Sequence, residues 1–231
     1  MNSTMRWSDD DIVLPKEVLP IEIARGCVFS CRFCNYILNG KKNHDYIKSY
    51  DLIKQELEYN YKTYGITTYT ILDDTFNDSE VKLDRMLDVV GSLSFRPRFW
   101  CYTRLDLLSK HPHTIQKMID IGVCAMYFGI ETFNRKTGRI IGKGYDPVEQ
   151  IRTINYIKDT YNSQVSMFGS FIIGLPEEKP SSIVKSFNRI LNREIKLDGW
   201  TFKPLNIYKK NNYNWDSALD RKSTPSELQS H

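Results

Sequence analysis

The sequence contains no long apolar run and no apolar segment near its amino terminus. Its longest nearly uncharged apolar stretch, residues 121–130, is far shorter than the roughly 18 residues that cross a bilayer. The first ten residues lack the hydrophobic region of a signal peptide. Gly and Pro are used at ordinary levels, 12 and 9 in 231 residues, which excludes collagen-like and low-complexity chains. We therefore expect a cytoplasmic protein without a membrane-spanning segment.

The chain also carries little net charge. It has 32 basic and 28 acidic residues, a net charge of +4, and the basic residues are scattered along the sequence. This balance argues neither for nor against a nucleic-acid substrate. Because 41% of the residues are apolar and 26% are charged, the chain can bury a core and is not compositionally disordered.

Cysteine is scarce, and its distribution is uneven. Five cysteines are an odd number, so in a chain without an export signal they are poorly explained by a disulfide framework. Three of them, Cys27, Cys31 and Cys34, fall within eight residues. The other two, Cys101 and Cys124, lie inside predicted strands and are best explained as small buried apolar residues. The three clustered cysteines are therefore the candidate functional group.

Short β-rich runs alternate with amphipathic helical patterns along the chain. This alternation predicts parallel strands joined by crossover helices, and the Val-, Ile- and Phe-rich strands predict a sheet covered on both faces. Six such units are too few for an eightfold barrel of roughly 250 residues. We predict an α/β fold, a partial (β/α)6 TIM-like barrel (three-quarter barrel) with parallel strands; a doubly wound sheet is the alternative. The strand candidates are residues 19–25, 67–72, 98–103, 123–130, 165–173 and 200–207.

Domain boundaries follow from the same pattern. Residues 19–208 form the predicted core domain, preceded by an N-terminal extension at 1–18. Residues 209–231 form a polar C-terminal tail, which is either disordered or the truncated start of another element. Two helix starts are predicted from capping patterns, one at Asp78-Ser79-Glu80 and one at Asp146 followed by Pro147.

The spacing of the clustered cysteines suits a metal site on one loop. Three and then two intervening residues let the loop turn three thiolates toward one point, as a cuboidal iron–sulfur cluster requires, and Gly26 permits a sharp turn after the strand. Three thiolates leave the fourth iron open to a substrate or cosubstrate. The alternatives are a zinc site completed by His44 and three unrelated cysteines. A ferredoxin pattern would need a cysteine before proline, which the sequence lacks.

The CxxxCxxC motif at the exit of the first strand, with Phe33 directly before the last cysteine, resembles the radical S-adenosylmethionine (radical SAM) superfamily over about residues 19–208. The resemblance implies an oxygen-sensitive enzyme in which Cys27, Cys31 and Cys34 hold a [4Fe-4S] cluster. It also implies that the open iron chelates S-adenosylmethionine and that an electron donor such as flavodoxin or ferredoxin reduces the cluster. Reductive cleavage would then give a 5′-deoxyadenosyl radical, which abstracts hydrogen from a substrate.

The resemblance also implies roles for two further segments of the sequence. Asp73, Asp74 and Thr75 follow the second strand, where the family commonly has a Gly-Gly-Glu-like turn that meets the methionine amino group. The glycines are absent here, so the contact would come from an aspartate carboxylate or a backbone carbonyl; a solvated turn is the alternative. Arg104 ends the third strand, where its guanidinium could hold a carboxylate of the methionine moiety or of a substrate. Its alternative partner is Asp106.

The fourth and fifth strands supply the remaining predicted contacts with the cosubstrate. Glu131 and Thr132 end a Gly-Ile-Glu-Thr segment like that of the family, in which one of the two side chains faces the ribose and methionine end. Ser170, Ile172 and Gly174 belong to a segment close to the family's GxIxGxxE, which implies contacts at the adenine.

The pattern is closest to members of the family that carry an N-terminal cobalamin domain. Only about 18 residues precede the first strand here, whereas roughly a hundred would be needed for such a domain, so cobalamin is expected only through a partner. A partner chain or a large substrate is also expected to close the barrel mouth, because the radical must be shielded from water. The alternatives are a noncatalytic zinc module with three cysteines and one histidine, and a degenerate or truncated core. No motif identifies the substrate.

Overall fold

The computed structural model describes residues 4–11, 13–14, 16–34, 40, 47–143 and 146–206. Within these ranges the chain forms six strands, seven α-helices and one short 3-10 helix, Asp9–Asp11. The strands are β1 (Val18–Ile21), β2 (Thr68–Ile71), β3 (Arg98–Thr103), β4 (Val123–Glu131), β5 (Ser166–Ile173) and β6 (Gly199–Pro204). The helices are α1 (Tyr50–Tyr64), α2 (Glu80–Gly91), α3 (Leu105–Lys110), α4 (His113–Ile121), α5 (Arg135–Ile140), α6 (Pro147–Tyr161) and α7 (Pro180–Leu191).

The six strands form one parallel sheet in the order β1-β2-β3-β4-β5-β6. Strand order therefore equals chain order. A doubly wound sheet reverses its order at a switch point, and this sheet has no such point, so the alternative is excluded. The sequential order with intervening helices is that of the predicted partial (β/α)6 barrel, and the α/β prediction is confirmed.

Both predicted helix starts are confirmed. The Ser79 side chain accepts a hydrogen bond from the Lys82 N–H at the start of α2, and Asp146 accepts one from the Val148 N–H at the start of α6. Each bond satisfies a backbone donor that has no partner within the helix. Pro147 occupies the first helical turn, where its missing N–H costs nothing.

The core lies between the sheet and the helices. Alternate residues of the central strands, such as Phe99, Phe128 and Phe171, are almost fully buried on this side. The opposite face of the sheet is different, because Tyr102 is 53% exposed there. The prediction of a sheet covered on both faces is thus wrong for the central strands, whose inner face borders an open cavity.

Part of the predicted N-terminal extension packs against the first helix of the fold. Residues 5 and 7 of the N-terminal extension contact α1, where Glu56 accepts a hydrogen bond from the Met5 N–H and the Trp7 carbonyl accepts one from the Tyr64 hydroxyl. The polar tail at 209–231 lies outside the described residues. No helix in the described part of the chain combines the length and apolarity needed to span a membrane.

Candidate active site

The three clustered cysteines face a common cavity. Cys27, Cys31 and Cys34 line a cavity of about 630 Å3 on the inner face and carboxyl edge of the sheet, where (β/α) barrels place their chemistry. Gly26 has φ of 131°, which fits the turn predicted at the exit of β1. The other lining residues are Phe29, Phe33, Asp74, Thr75, Tyr102, Thr103, Arg104, Tyr127, Phe128, Gly129, Glu131, Lys143, Phe168, Gly169, Ser170, Gly199, Trp200, Thr201 and Lys203.

Neighbouring loops contact two of the three sulfurs. Cys27 Sγ lies 3.4 Å from Thr75 Oγ1, and Cys31 Sγ accepts a hydrogen bond of 3.2 Å from Arg104 Nη1. Burial raises the pKa of the Cys27 thiol, while the Thr75 hydroxyl acts in the opposite direction. Because iron binds thiolates, the hydrogen bond that Arg104 donates to the Cys31 sulfur favours the form that a cluster needs.

The donor set fits an iron–sulfur cluster. All five cysteines of the chain are free, and three of them share one cavity. A cluster attaches each thiolate to a different iron, so the sulfurs need only face the same space. Among the described residues no three His, Cys, Asp or Glu side chains come close enough together to hold a single metal ion. His44, the fourth ligand of the zinc alternative, lies outside those residues.

The Asp73 side chain points away from the cavity. One carboxylate oxygen accepts hydrogen bonds from the N–H groups of Ile23 and Ala24, at 3.2 and 2.6 Å, and the other lies 3.2 Å from Lys82 Nζ. Burial raises the pKa of Asp73 to about 6, although Lys82 and the Ala24 N–H lower it. Asp73 therefore joins the end of β1 to the end of β2.

Asp74 and Thr75 line the cavity, unlike the preceding aspartate. Asp74 is exposed, and its backbone carbonyl accepts a hydrogen bond of 2.8 Å from the Thr75 hydroxyl. Of the three residues predicted to meet the methionine amino group, Asp73 therefore stabilises the sheet edge, whereas Asp74 and Thr75 line the candidate site.

The Arg104 guanidinium pairs with Asp106, which the sequence indicated as its alternative partner. Its Nε and Nη2 donate to the two carboxylate oxygens of Asp106 at 2.9 and 2.7 Å. The guanidinium also lies 3.8 Å from the centre of the Phe29 ring, a cation–π distance. Arg104 still lines the cavity, and Nη1 reaches Cys31. A guanidinium has five N–H groups, so two remain for a further acceptor.

Glu131 is held inside the cavity by an irregular strand end. The β4–β5 pairing shifts between Gly129 and Glu131, and Glu131 has φ of 65°. Lys143 Nζ lies 3.6 Å from the Glu131 carboxylate and donates to the Gly129 carbonyl at 2.7 Å. Burial raises the pKa of Glu131, and Lys143 lowers it. A Cβ on Gly129 would lie 2.6 Å from the Glu131 carboxylate, so a larger residue there would displace that carboxylate.

The remaining predicted contacts divide into two groups. Phe33 and Ser170 line the cavity, whereas Thr132, Ile172 and Gly174 do not. The Thr132 hydroxyl instead donates to Glu178 at 2.5 Å. Gly174 has φ of 85° and lies in the turn after β5, which explains a glycine at that position without a ligand.

An aromatic wall on the inner face of the sheet is not evident from the sequence. Tyr102, Tyr127 and Phe168 occupy paired positions on β3, β4 and β5, with ring centroids 5.6 and 5.0 Å apart. All three line the cavity. The sequence has an aromatic residue in each of these three strands. Only the strand register shows that the three side chains are neighbours.

Comparisons with known proteins agree with this arrangement. The family model described as Radical SAM superfamily matches residues 21–190. An uncharacterized methyltransferase from Pyrococcus horikoshii is 30% identical over 157 residues, which cover 67% of this chain and 32% of that protein. The chain spans about a third of the length of the curated relatives it matches.

Solved structures with a similar fold include two radical SAM enzymes. Coproporphyrinogen III oxidase from Escherichia coli matches with a TM-score of 0.66 at 15% identity, over 96% of this chain and 52% of that one. The methyltransferase TsrM from Kitasatospora setae, solved with cobalamin and a [4Fe-4S] cluster bound, matches with a TM-score of 0.62 at 15% identity. That match covers 81% of this chain and 34% of TsrM. At this level of identity the likeness concerns the fold.

Proposed function

The chain belongs to the radical SAM superfamily, an enzyme class that uses a [4Fe-4S] cluster and S-adenosylmethionine, and on this basis we propose that it holds both in the cavity lined by its three clustered cysteines. The observation that carries the proposal is the convergence of Cys27, Cys31 and Cys34 on one cavity at the sheet edge. When bound, the two cofactors supply a 5′-deoxyadenosyl radical that abstracts hydrogen from a substrate still to be identified.

In this proposal the side chains around the cavity bind and orient the two cofactors. The three cysteines hold the cluster, and Thr75 and Arg104 contact two of the sulfurs. The carboxylate of Glu131 accepts hydrogen bonds from the ribose hydroxyls or the methionine amino group, and Lys143 fixes its position. Ser170 would lie beside the adenine and Asp74 would border the methionine end, because both residues line the cavity. The radical SAM core domain occupies residues 19–208.

We expect the chain, reconstituted anaerobically with iron and sulfide, to form 5′-deoxyadenosine when given S-adenosylmethionine and dithionite. The product is measured by liquid chromatography and mass spectrometry. Formation that depends on Cys27, Cys31 and Cys34 would support the proposal. An intact cluster without product would favour a degenerate core that needs a partner chain. Bound zinc in place of iron would favour the noncatalytic module.

Glu131→Ala should weaken binding of S-adenosylmethionine about tenfold to a hundredfold while leaving the iron content unchanged. A hydrogen bond to a charged group contributes about 1.5–3 kcal/mol, and tenfold in affinity corresponds to about 1.4 kcal/mol. Calorimetric titration of the cluster-loaded chain measures the affinity. Glu177→Ala is the matched control, because Glu177 also has a positive φ, 64°, but does not line the cavity. Equal affinity in the two variants would remove Glu131 from the site.

Methyl transfer is a second candidate reaction. It is favoured by the 30% identity to a protein named as a methyltransferase and by the fold shared with a cobalamin-bound methyltransferase. Cobalamin would then reach the site through a partner, which would also cover the exposed side of Tyr102. Methyl-labelled S-adenosylmethionine in the same incubation distinguishes the two candidates, because label in a product other than methionine indicates methyl transfer.

A further inference from the structure

Arg104 is fixed beside one of the cluster cysteines by contacts on several sides. Asp106 accepts two hydrogen bonds from the guanidinium, and the Phe29 ring covers one face of it. The backbone is fixed as well, since the Arg104 N–H donates to Asn77 Oδ1 at 2.9 Å and the Arg104 carbonyl accepts from Asn77 Nδ2 at 3.0 Å. The position of Nη1, 3.2 Å from Cys31 Sγ, is therefore set by the protein in advance.

We propose that Arg104 raises the reduction potential of the cluster through its N–H···S hydrogen bond to Cys31, an inference that rests on the proposed function because it requires Cys31 to bind iron. Reduction adds one electron from an external low-potential donor, such as flavodoxin or dithionite, and no bond forms or breaks. The cluster and its thiolates become more negative by one charge. A cationic donor at a ligand sulfur stabilises this reduced state more than the oxidised one.

The burial of the Arg104 side chain strengthens the effect of its hydrogen bond to Cys31. The Arg104 and Asp106 side chains are only 8% and 11% exposed, so solvent screens the interaction weakly. Asp106 neutralises part of the positive charge but leaves the direction of the Nη1 hydrogen bond unchanged. Hydrogen bonds to cluster sulfurs are among the factors that set reduction potential. Arg104 acts on the cluster through Cys31 and is therefore a positioning residue for the reduction step. This role does not depend on the identity of the substrate.

The test is a potentiometric titration of the reconstituted chain without S-adenosylmethionine, followed by electron paramagnetic resonance of the reduced cluster. Arg104→Gln should shift the midpoint potential to a more negative value, because the charge is lost. Arg104→Lys keeps the charge but not the planar pair with Asp106, so a smaller shift is expected. Arg98→Gln is the control, since it removes the same charge from an exposed position at the start of β3.

The outcomes separate this inference from the proposed function. A wild-type chain that takes up no cluster would contradict the proposed function. A wild-type cluster whose midpoint equals that of Arg104→Gln, at full iron content, would overturn only the role of Arg104. An equal shift in Arg98→Gln would also overturn it, because the effect would then reflect net charge. Loss of the cluster in both Arg104 variants would assign the residue to cluster assembly and overturn the inference too.

Discussion

Replacing Cys27, Cys31 or Cys34 by alanine should lower the iron content of the reconstituted chain from about four atoms to nearly none, because each cysteine supplies one of three thiolates and neither remaining cysteine lines the cavity. Formation of 5′-deoxyadenosine should disappear with the iron. Iron and sulfide are measured chemically, and the cluster is followed by its visible absorbance. This is the largest effect that we expect from a single side chain.

The chain contains its own matched control for this experiment. Cys124 is also a free thiol, but it lies on β4 and its Sγ donates to the Phe99 carbonyl at 3.5 Å. Cys124→Ala should therefore keep the full iron content. His44→Ala should keep it as well, whereas loss of bound metal in that variant would favour the zinc site. Normal iron in any of the three cluster variants would refute the assignment.

The alternation of strands and helices predicts the α/β class and the number of strands, because the pattern leaves few arrangements. It does not separate a partial barrel from a doubly wound sheet, which only the strand order excludes. The short helices α3 and α4 were not predicted individually. A helix of six residues such as α3 contains too few turns for an apolar period to be recognised. The cysteine motif was equally easy to recognise in the sequence, because its three residues lie within eight positions and their proximity does not depend on the tertiary fold.

The residues predicted to contact the cosubstrate do not all line the cavity, because their position along a strand matters. Thr132 lies beyond the end of β4 and its hydroxyl binds Glu178, so of this pair only Glu131 lines the cavity. Ile172 lies two residues beyond Ser170, about 7 Å further along β5, and falls outside the lining. The sequence predicts which face of the sheet a side chain occupies. It does not predict how far the cavity extends along the strands, because that extent depends on the loops that follow them.

The Asp73 side chain is placed by a tertiary contact. Its carboxylate binds the backbone of residues 23 and 24, and these atoms meet only because β1 and β2 pair with Ile21 opposite Ile71. No local pattern reveals such a partner. The same holds for Lys82, which lies in the first turn of α2 and is a buried ion-pair centre in the structure.

Lys82→Met should lower the free energy of unfolding by about 3–5 kcal/mol, the usual cost of removing one partner from a buried ion pair. Its side chain is 0% exposed and lies 3.2 Å from Asp73 and 2.6 Å from Asp78. It also donates to the Thr75 carbonyl at 2.9 Å, so the loop that contacts Cys27 depends on it. Urea denaturation followed by circular dichroism measures the change.

Two comparisons identify the cause of that loss. Lys62→Met removes an exposed lysine 3.7 Å from Glu58 and should change stability by no more than about 0.5 kcal/mol. Adding Asp73→Asn and Asp78→Asn to Lys82→Met should restore part of the stability, because an amide oxygen can still accept the N–H groups of residues 23 and 24 without a buried charge. If the triple variant recovers nothing, the cost lies in the packing of the lysine chain, and the buried charges are not what Lys82 stabilises.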